Sequence, residues 1–504
     1  MKKIFAIAIA SLAVSSIQAQ DITDALRYSQ TDLNGTARFR AMSGAFGALG
    51  GDFSSINVNP AGSVVFANNQ VGFTLGNYNT KNNSNYFGKA TSDSKNSFDL
   101  NQAGAVFVFD NDDSKSPWKK FALALDYENN RNLDNSIFSA GTNPNNSIDN
   151  YFLSYANGVA LGTLNNYYFD ELYYNEQQAY LGYNSYIIDP TANTNNNTSY
   201  YTNIAPGGNY YQENKIRTTG YNGKLAFNFS TQYTDKWSFG LNLNSHFIDF
   251  RQSSNFFESN SNPKYATGST VDVVRFSNDL YTYGSGFSFQ LGTIFKPVKE
   301  FRIGLSYDSP TWYRLTDELT QRLVTSGYGL NSNQDNTQYN TVVTDPNTTM
   351  IFQPYKLKSP GKLTTSLAYV FGKRGLISLD YAVKDYSNTM YKPKSDFPVT
   401  NSTMSNTLTS ASEVRLGTEY KIKKLSLRAG YRWEQSPYKD GKTIGDLNGY
   451  SGGLGYNFGS TKLDLAYAYA KRDYNQQFFT QGLTDAARIK SVNNNVSLTL
   501  LFEL

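Results

Sequence analysis

The sequence predicts an all-β protein, a transmembrane antiparallel β-barrel of about fourteen strands with an N-terminal hatch, or plug, in its lumen. Three observations lead there. Long runs alternate apolar and polar residues with a period of two, short and long links between the runs alternate along the chain, and the C-terminus ends in mid-strand.

Composition sets the bounds first. Of 504 residues only 39% are hydrophobic, below the roughly 45–50% of ordinary globular chains, while 39 Tyr and 33 Phe make the chain unusually aromatic. Mean hydropathy is −0.50. The rings are too many for a disordered chain. No Cys is present, which removes disulfides and thiolate metal sites, and a single His removes most histidine-based zinc or nucleophile–base chemistry. The formal net charge of +4 is too small and dispersed to argue for nucleic acid.

In chain order, residues 1–19 read as a secretory signal peptide: Lys2 and Lys3, an apolar stretch from Ile4 to Val14, and small residues up to Ala19. The stretch is shorter than the ~20 residues of a spanning helix, and no later window approaches one. A closed barrel also satisfies every backbone group in lipid, with a much weaker signal per strand.

Residues 20–69 do not alternate. They hold a short helix near Asp24–Gln30 and a glycine-rich stretch from Gly35 to Gly62, which suits a compact element packed inside the barrel. From residue 70 the alternation begins. Phe121, Leu123, Leu125 and Tyr127 face one way and Ala122, Ala124 and Asp126 the other; Ile303, Leu305 and Tyr307 oppose Arg302, Gly304 and Ser306; Leu463, Leu465, Tyr467 and Tyr469 oppose Asp464, Ala466 and Ala468. Runs of about ten residues with rings near their ends match a tilted bilayer crossing and its aromatic girdles. Fourteen such runs are expected, near 70–80, 97–109, 119–130, 216–232, 236–252, 280–295, 300–308, 356–370, 375–386, 412–420, 425–435, 448–458, 462–473 and 494–504. Asn- and Ser-rich links at 81–96, 131–215, 253–279, 309–355, 387–411, 436–447 and 474–493 interleave with tight ones such as Thr234–Lys236 and Lys421–Lys424. Short periplasmic turns and long outside loops explain that order, so both ends of the barrel are expected on the periplasmic side, with a long extracellular loop at 131–215. In the last segment Val496, Leu498, Leu500, Phe502 and Leu504 form one apolar face, as a strand closing the seam requires.

Several motifs lie in order along the mature chain: Gly35-Thr36-Ala37-Arg38, Ala41-Met42-Ser43-Gly44-Ala45-Phe46, Asn59-Pro60-Ala61-Gly62, Gly304-Leu305-Ser306-Tyr307 with Ser309-Pro310, Leu427-Arg428-Ala429-Gly430-Tyr431 with Ser436-Pro437, and Gly453-Leu454-Gly455-Tyr456. Together they resemble the FadL/OmpP1/TodX family of outer-membrane transporters for hydrophobic compounds. The resemblance implies a fourteen-stranded barrel in the outer membrane of a Gram-negative bacterium, plugged by a hatch. It also implies passive uptake of a long-chain fatty acid or other hydrophobic small molecule, which leaves sideways into the outer-membrane lipid. It carries Asn59, Pro60, Ala61 and Gly62 over as gate residues; the same residues also suit a tight turn that merely wedges the plug. A second implied role is that of a cargo carrier among the proteins of a type IX secretion system. The 131–215 segment, with Tyr pairs at 167–168, 173–174, 200–201 and 210–211, departs from better-known members and suits an outer cap.

Chemistry elsewhere is sparse. Inward-facing Arg302, Arg415, Arg428 and Arg432, with Lys384, Asp380, Glu419 and Asp464, either anchor a substrate carboxylate or pair across the lumen to hold plug to wall. His246 also falls on the inward face, and with no visible partner constellation a hydrolase is disfavoured. No cofactor fingerprint is visible, and the Asp/Asn-rich loops lack a calcium-loop spacing.

Overall fold

A computed structural model describes residues 21–113 and 115–504; the signal peptide expected at 1–19 lies outside the described residues. Fourteen antiparallel strands close into a barrel, several of them interrupted along their length. They are β1 (Gln70–Tyr86), β2 (Lys89–Asp110), β3 (Trp118–Asn132 and Asn135–Asn143), β4 (Tyr210–Tyr233), β5 (Trp237–Ser259), β6 (Thr270–Phe295) and β7 (Phe301–Asp308 and Trp312–Tyr328). Next come β8 (Tyr339–Thr344, Thr349–Ile351, Tyr355–Lys358 and Lys362–Phe371), β9 (Gly375–Asp385 and Met390–Lys392) and β10 (Ser410–Ile422). The circuit is completed by β11 (Leu425–Glu434), β12 (Ile444–Asn457), β13 (Thr461–Gln477) and β14 (Ala486–Glu503). Each strand pairs with its sequence neighbour, and β14 closes on β1 from Gln70↔Glu503 to Asn85↔Arg488. The final strand leaves no unpaired edge in lipid.

The alternation sorts as expected. Leu291 is 49% exposed and Leu465 44%, whereas the intervening Asp464 is buried at 3%. A continuous belt of exposed Leu, Ile and Phe of this size is untenable in water and ordinary against hydrocarbon. Rings gather where the short turns emerge: Trp237 stacks on Phe295 at 4.3 Å, Phe109 on Phe121 at 4.8 Å, and Trp118 meets Tyr233 edge-on at 5.0 Å.

Several links expected to be long are strand instead. The 81–96 segment continues the β1–β2 ladder up to Tyr86↔Lys89, turning at Phe87 and Gly88, both with positive φ. The same holds for Trp312–Tyr328, inside the link expected at 309–355, and for both flanks of 131–215. The cause is physical. Around the 81–96 hairpin Asn, Ser and Lys alternate with one another and no apolar face marks the strand, whereas Trp312–Tyr328 keeps an inward face of Tyr313, Leu315, Leu319 and Leu323 that Asp317 and Gln321 interrupt.

The true connection after β3 spans 144–209 and folds as a cap over the open end. It contains α4 (Asp149–Ala156), α5 (Leu161–Asn166) and α6 (Tyr174–Asn184), numbered after three short N-terminal helices described below. Ile148, Phe152, Leu181 and Ile188 are fully buried in one apolar cluster with Phe276 of β6, Leu323 of β7, Tyr86 of β1 and Ile489 of β14. Strands β6–β7 and β14–β1 stand on opposite sides of the strand circuit, so the cap bridges the mouth. The Glu258 carboxylate fixes its entry, accepting from the Ile148 backbone at 3.0 Å and the Gln212 amide at 2.7 Å. Of the Tyr pairs, Tyr174, Tyr200 and Tyr210 pack inward while Tyr168 and Tyr173 stand in solvent.

Candidate functional site

Residues 21–66 lie inside the barrel. They form α1 (Ile22–Ser29), α2 (Ala37–Ala41), α3 (Phe53–Ile56) and a 3-10 turn at Pro60–Val65. Asp21 caps α1, Thr36 α2 and Asp52 α3, each accepting a backbone N–H with its side chain. Ala37, Met42, Phe46, Phe53 and Ile56 are 0% exposed.

The Asn59-Pro60-Ala61-Gly62 turn is built by local rules and then held by the wall. Asn59 is the cap of the 3-10 turn, its Oδ1 accepting from Ala61 N–H at 3.1 Å, and Pro60 takes the first helical position, where its missing N–H costs nothing. The Asn59 amide group donates to Gly47 O at 2.7 Å and to Thr293 O of β6 at 3.0 Å. Around it the wall binds successive carbonyls, each from a different strand. Asn242 of β5 donates to Ile56 O at 2.9 Å, Gln290 of β6 to Asn57 O at 2.9 Å, Ser306 of β7 to Val58 O at 2.7 Å, and Asn228 of β4 to Pro60 O at 2.9 Å. The wall makes room with a cross-strand glycine pair, Gly240 and Gly292. A Cβ on Gly292 would stand 2.0 Å from Asn59 Oδ1, and one on Gly240 2.2 Å from the Pro60 carbonyl carbon.

The other side of the segment is held by charge. Arg38 Nε lies 2.8 Å and Arg428 Nε 2.7 Å from Glu419, while Arg428 Nη1 reaches Asp464. The Phe46 and Gly47 N–H groups each donate to Asp380 at 3.0 Å. Arg302 donates to Leu49 O at 2.7 Å, and Lys384 donates to Ser29 O. Arg415 pairs with Glu413, and Arg432 with Glu434 at 3.0 Å. The inward charges expected from the sequence are thus all engaged with protein groups, Arg302, Asp380, Lys384 and Glu419 directly across the boundary between segment and wall and Arg428 within the wall. Burial pushes the Asp52 carboxyl above its ordinary value, with Arg38 and the Thr36 hydroxyl working against that rise.

Two features were not legible in the sequence. The first is an apolar chamber inside the barrel that is packed shut around α1 of the segment. Leu26 and Tyr28 of α1 pack there with Leu133, Ile248, Phe250, Leu315, Leu357 and Tyr391 from the wall and Phe397 and Met404 from α7 (Pro398–Thr407) and its approach. A barrel lumen is ordinarily polar, so a cluster of this kind is a specific feature. The second is a break in the wall. β2 and β3 pair only from Gln102↔Glu128 to Asp110↔Lys120. Above that, β3 continues against β4 alone. Side chains replace the ladder, with the Asn132 amide donating to Ser97 Oγ at 3.0 Å. Just above the last β2–β3 pair, at the bulge in the β3–β4 ladder, the segment bonds the β3 backbone: Asp32 N–H donates to Asn130 O at 2.9 Å, and the Asn34 side chain donates to Asn129 O. Leu133, where β3 is interrupted, belongs to both features.

His246 is buried on the inward face, with Nε2 2.8 Å from Ser288 Oγ and Tyr313 edge-on at 5.7 Å. Among the described residues no cluster of His, Asp and Glu has the arrangement of a metal site.

A family model described as outer membrane protein transport protein (OMPP1/FadL/TodX) matches residues 172–498. Curated protein sequences yield no match. Among solved structures, a Pseudomonas aeruginosa FadL homologue aligns over 94% of this chain and 99% of its own, at 12% identity and a TM-score of 0.54. The Pseudomonas putida toluene transporter TodX aligns over 94% and 99%, at 15% identity and a TM-score of 0.50. At such identities the structural likeness speaks to the fold.

Proposed function

The chain belongs to the OMPP1/FadL/TodX family of outer-membrane transport proteins, which are channels for hydrophobic compounds, and from that premise we propose that it takes up a fatty acid or comparably apolar molecule through a passage gated by residues 21–66. The apolar chamber carries this reading. A hydrophobic solute needs a dry pocket to leave water, and here such a surface exists inside the barrel, filled by Leu26 and Tyr28 of α1. Withdrawal of α1 would expose the remaining chamber to a ligand.

The exit follows from the wall break. The segment bonds the carbonyls of Asn129 and Asn130 where β2 pairing ends and the β3–β4 ladder bulges, so a shift of the segment would loosen the wall beside the chamber. A ligand leaving there enters lipid without crossing water. In this scheme the stretch 56–62 is the fixed end about which the segment moves, because five wall groups on four strands hold residues 56–60, and Glu419 and Asp380 hold the part that must be released.

Removing the gene from the host should lower uptake of radiolabelled oleate, or of labelled toluene if the ligand is a small aromatic, to the rate of passive leakage, and plasmid-borne chain should restore it. Unchanged uptake of both, with secreted proteins recovered on the purified barrel, would replace this reading with a secretion-system role.

A further inference from the structure

We infer that a second site, at the end of the barrel where the short turns emerge, binds an amphiphilic anion: a hydrocarbon chain headed by a carboxylate or a phosphate. A cavity of about 340 Å³ opens there between the segment and strands β7 to β14, within the size range of small-molecule sites. One side is apolar, lined by Leu49, Phe53, Phe66, Val370, Leu376 and Leu501. The other is cationic. Seven cations line the cavity against three carboxylates, Asp52, Glu419 and Asp464.

The carboxylates are already committed. Glu419 is shared by Arg38, Arg428 and, at 3.5 Å, Lys421, and Asp464 is taken by Arg428. Asp52 accepts from the Thr36 hydroxyl at 2.8 Å and from Ser54 N–H at 3.0 Å. Lys423 and Lys424, in the β10–β11 turn, and Arg302 have no carboxylate partner among the described residues. Arg302 Nε is buried with no hydrogen-bond acceptor. An anion in this cavity would gain charge-assisted bonds from these cations without breaking an existing pair, while its hydrocarbon lies along the half-buried Val65, Val370 and Leu376. The transported ligand and a phospholipid of the adjacent leaflet carry the same chemistry. The inference deepens the proposed uptake by assigning the ligand's charged head a place at this end of the barrel and rests on that reading for the ligand's presence, but it is tested by binding alone.

Native mass spectrometry of the purified full barrel in nonionic detergent, titrated with oleate, methyl oleate and phosphatidylglycerol, provides the test. Oleate affinity should fall about tenfold in Lys423→Gln/Lys424→Gln, equivalent to losing about one charge-assisted contact. It should fall comparably in Arg302→Gln, and methyl oleate should be indifferent to both changes. Displacement of oleate by phosphatidylglycerol from the wild-type barrel assigns the site to lipid headgroups, and failure to displace assigns it to the carboxylate ligand; either supports an anion site. Equal oleate and phosphatidylglycerol binding in wild type and variants, or methyl oleate weakened as much as oleate, overturns it. Loss of uptake on gene removal, together with that negative result, would leave the transport reading standing and remove only this site.

Discussion

Gly292→Val should turn a closed barrel into a leaky one. The new Cβ would fall 2.0 Å from Asn59 Oδ1 and 2.7 Å from Pro60 Cδ, on a turn held by wall side chains from four strands that leave it little room to yield. Overpacking of this kind costs about 1–3 kcal/mol, and each displaced neutral hydrogen bond about 1 kcal/mol more. The strand itself tolerates valine, so the penalty falls on the seat of residues 56–62 and not on the ladder. Planar-bilayer recordings of the purified variant should show open-channel current where wild type is silent, and hydrogen exchange should show lost protection confined to residues 53–66. Leu291→Val, one residue away on the lipid face, should do neither. A silent Gly292→Val with wild-type protection would mean that the seat is not what keeps the lumen closed.

Glu419→Gln should have the second large effect, on the opposite side of the segment. Glu419 is 1% exposed and binds Arg38 of the segment and Arg428 of the wall at 2.8 and 2.7 Å. Neutralising it leaves the buried Arg428 guanidinium, with Asp464 as its nearest strong partner, and the half-buried Arg38 guanidinium without a carboxylate. Breaking one member of a buried network typically costs about 3–5 kcal/mol, because the stranded charges keep their desolvation penalty. The urea midpoint of exchange for residues 36–47 should drop while that of residues 56–62 holds, since the latter are fixed by side chains of β3 to β7 that do not involve Glu419. Adding Arg38→Met should recover part of the loss, as removal of the stranded charge predicts. A uniform fall across the whole segment would show that its two halves move as one body.

The two variants probe the part of the molecule that sequence patterns described least. Lipid contact imposes an apolar residue at every second position, so Phe121–Tyr127 and Leu463–Tyr469 could be assigned to a barrel wall from period alone. Asn59 and Pro60 could be assigned to a turn because capping and N1 preferences are local. Their seat could not. Asn228, Asn242, Gln290 and Ser306 look like any other inward polar residues, and only the register of four strands makes them converge on five consecutive residues. The chamber was hidden for the same reason: β3, β5, β7, β8, β9, α1 and α7 each contribute one to three apolar side chains. The wall break is a missing set of pairings between distant residues, which leaves no mark on local composition. The misplaced strand end at 81–96 has the opposite origin, since its Asn-, Ser- and Lys-rich ladder lacks the apolar face that reveals a strand, while in Trp312–Tyr328 the polar Asp317 and Gln321 interrupt the inward apolar face.

Whether passage requires the N-terminal segment to leave the wall can be measured with one cross-link. The chain has no Cys, and Ser63 Oγ of the 3-10 turn lies 2.5 Å from Ser230 Oγ of β4, so Ser63→Cys/Ser230→Cys places two thiols in a cysteine-free background. A second pair, Ser43→Cys/Ser451→Cys, starts from hydroxyls 2.7 Å apart and locks the half held by charge. With both pairs present, uptake of radiolabelled oleate by cells expressing the chain should stop on oxidation and return on reduction. Equal uptake in the oxidised and reduced states, with both disulfides verified by mass, would contradict gating by this segment.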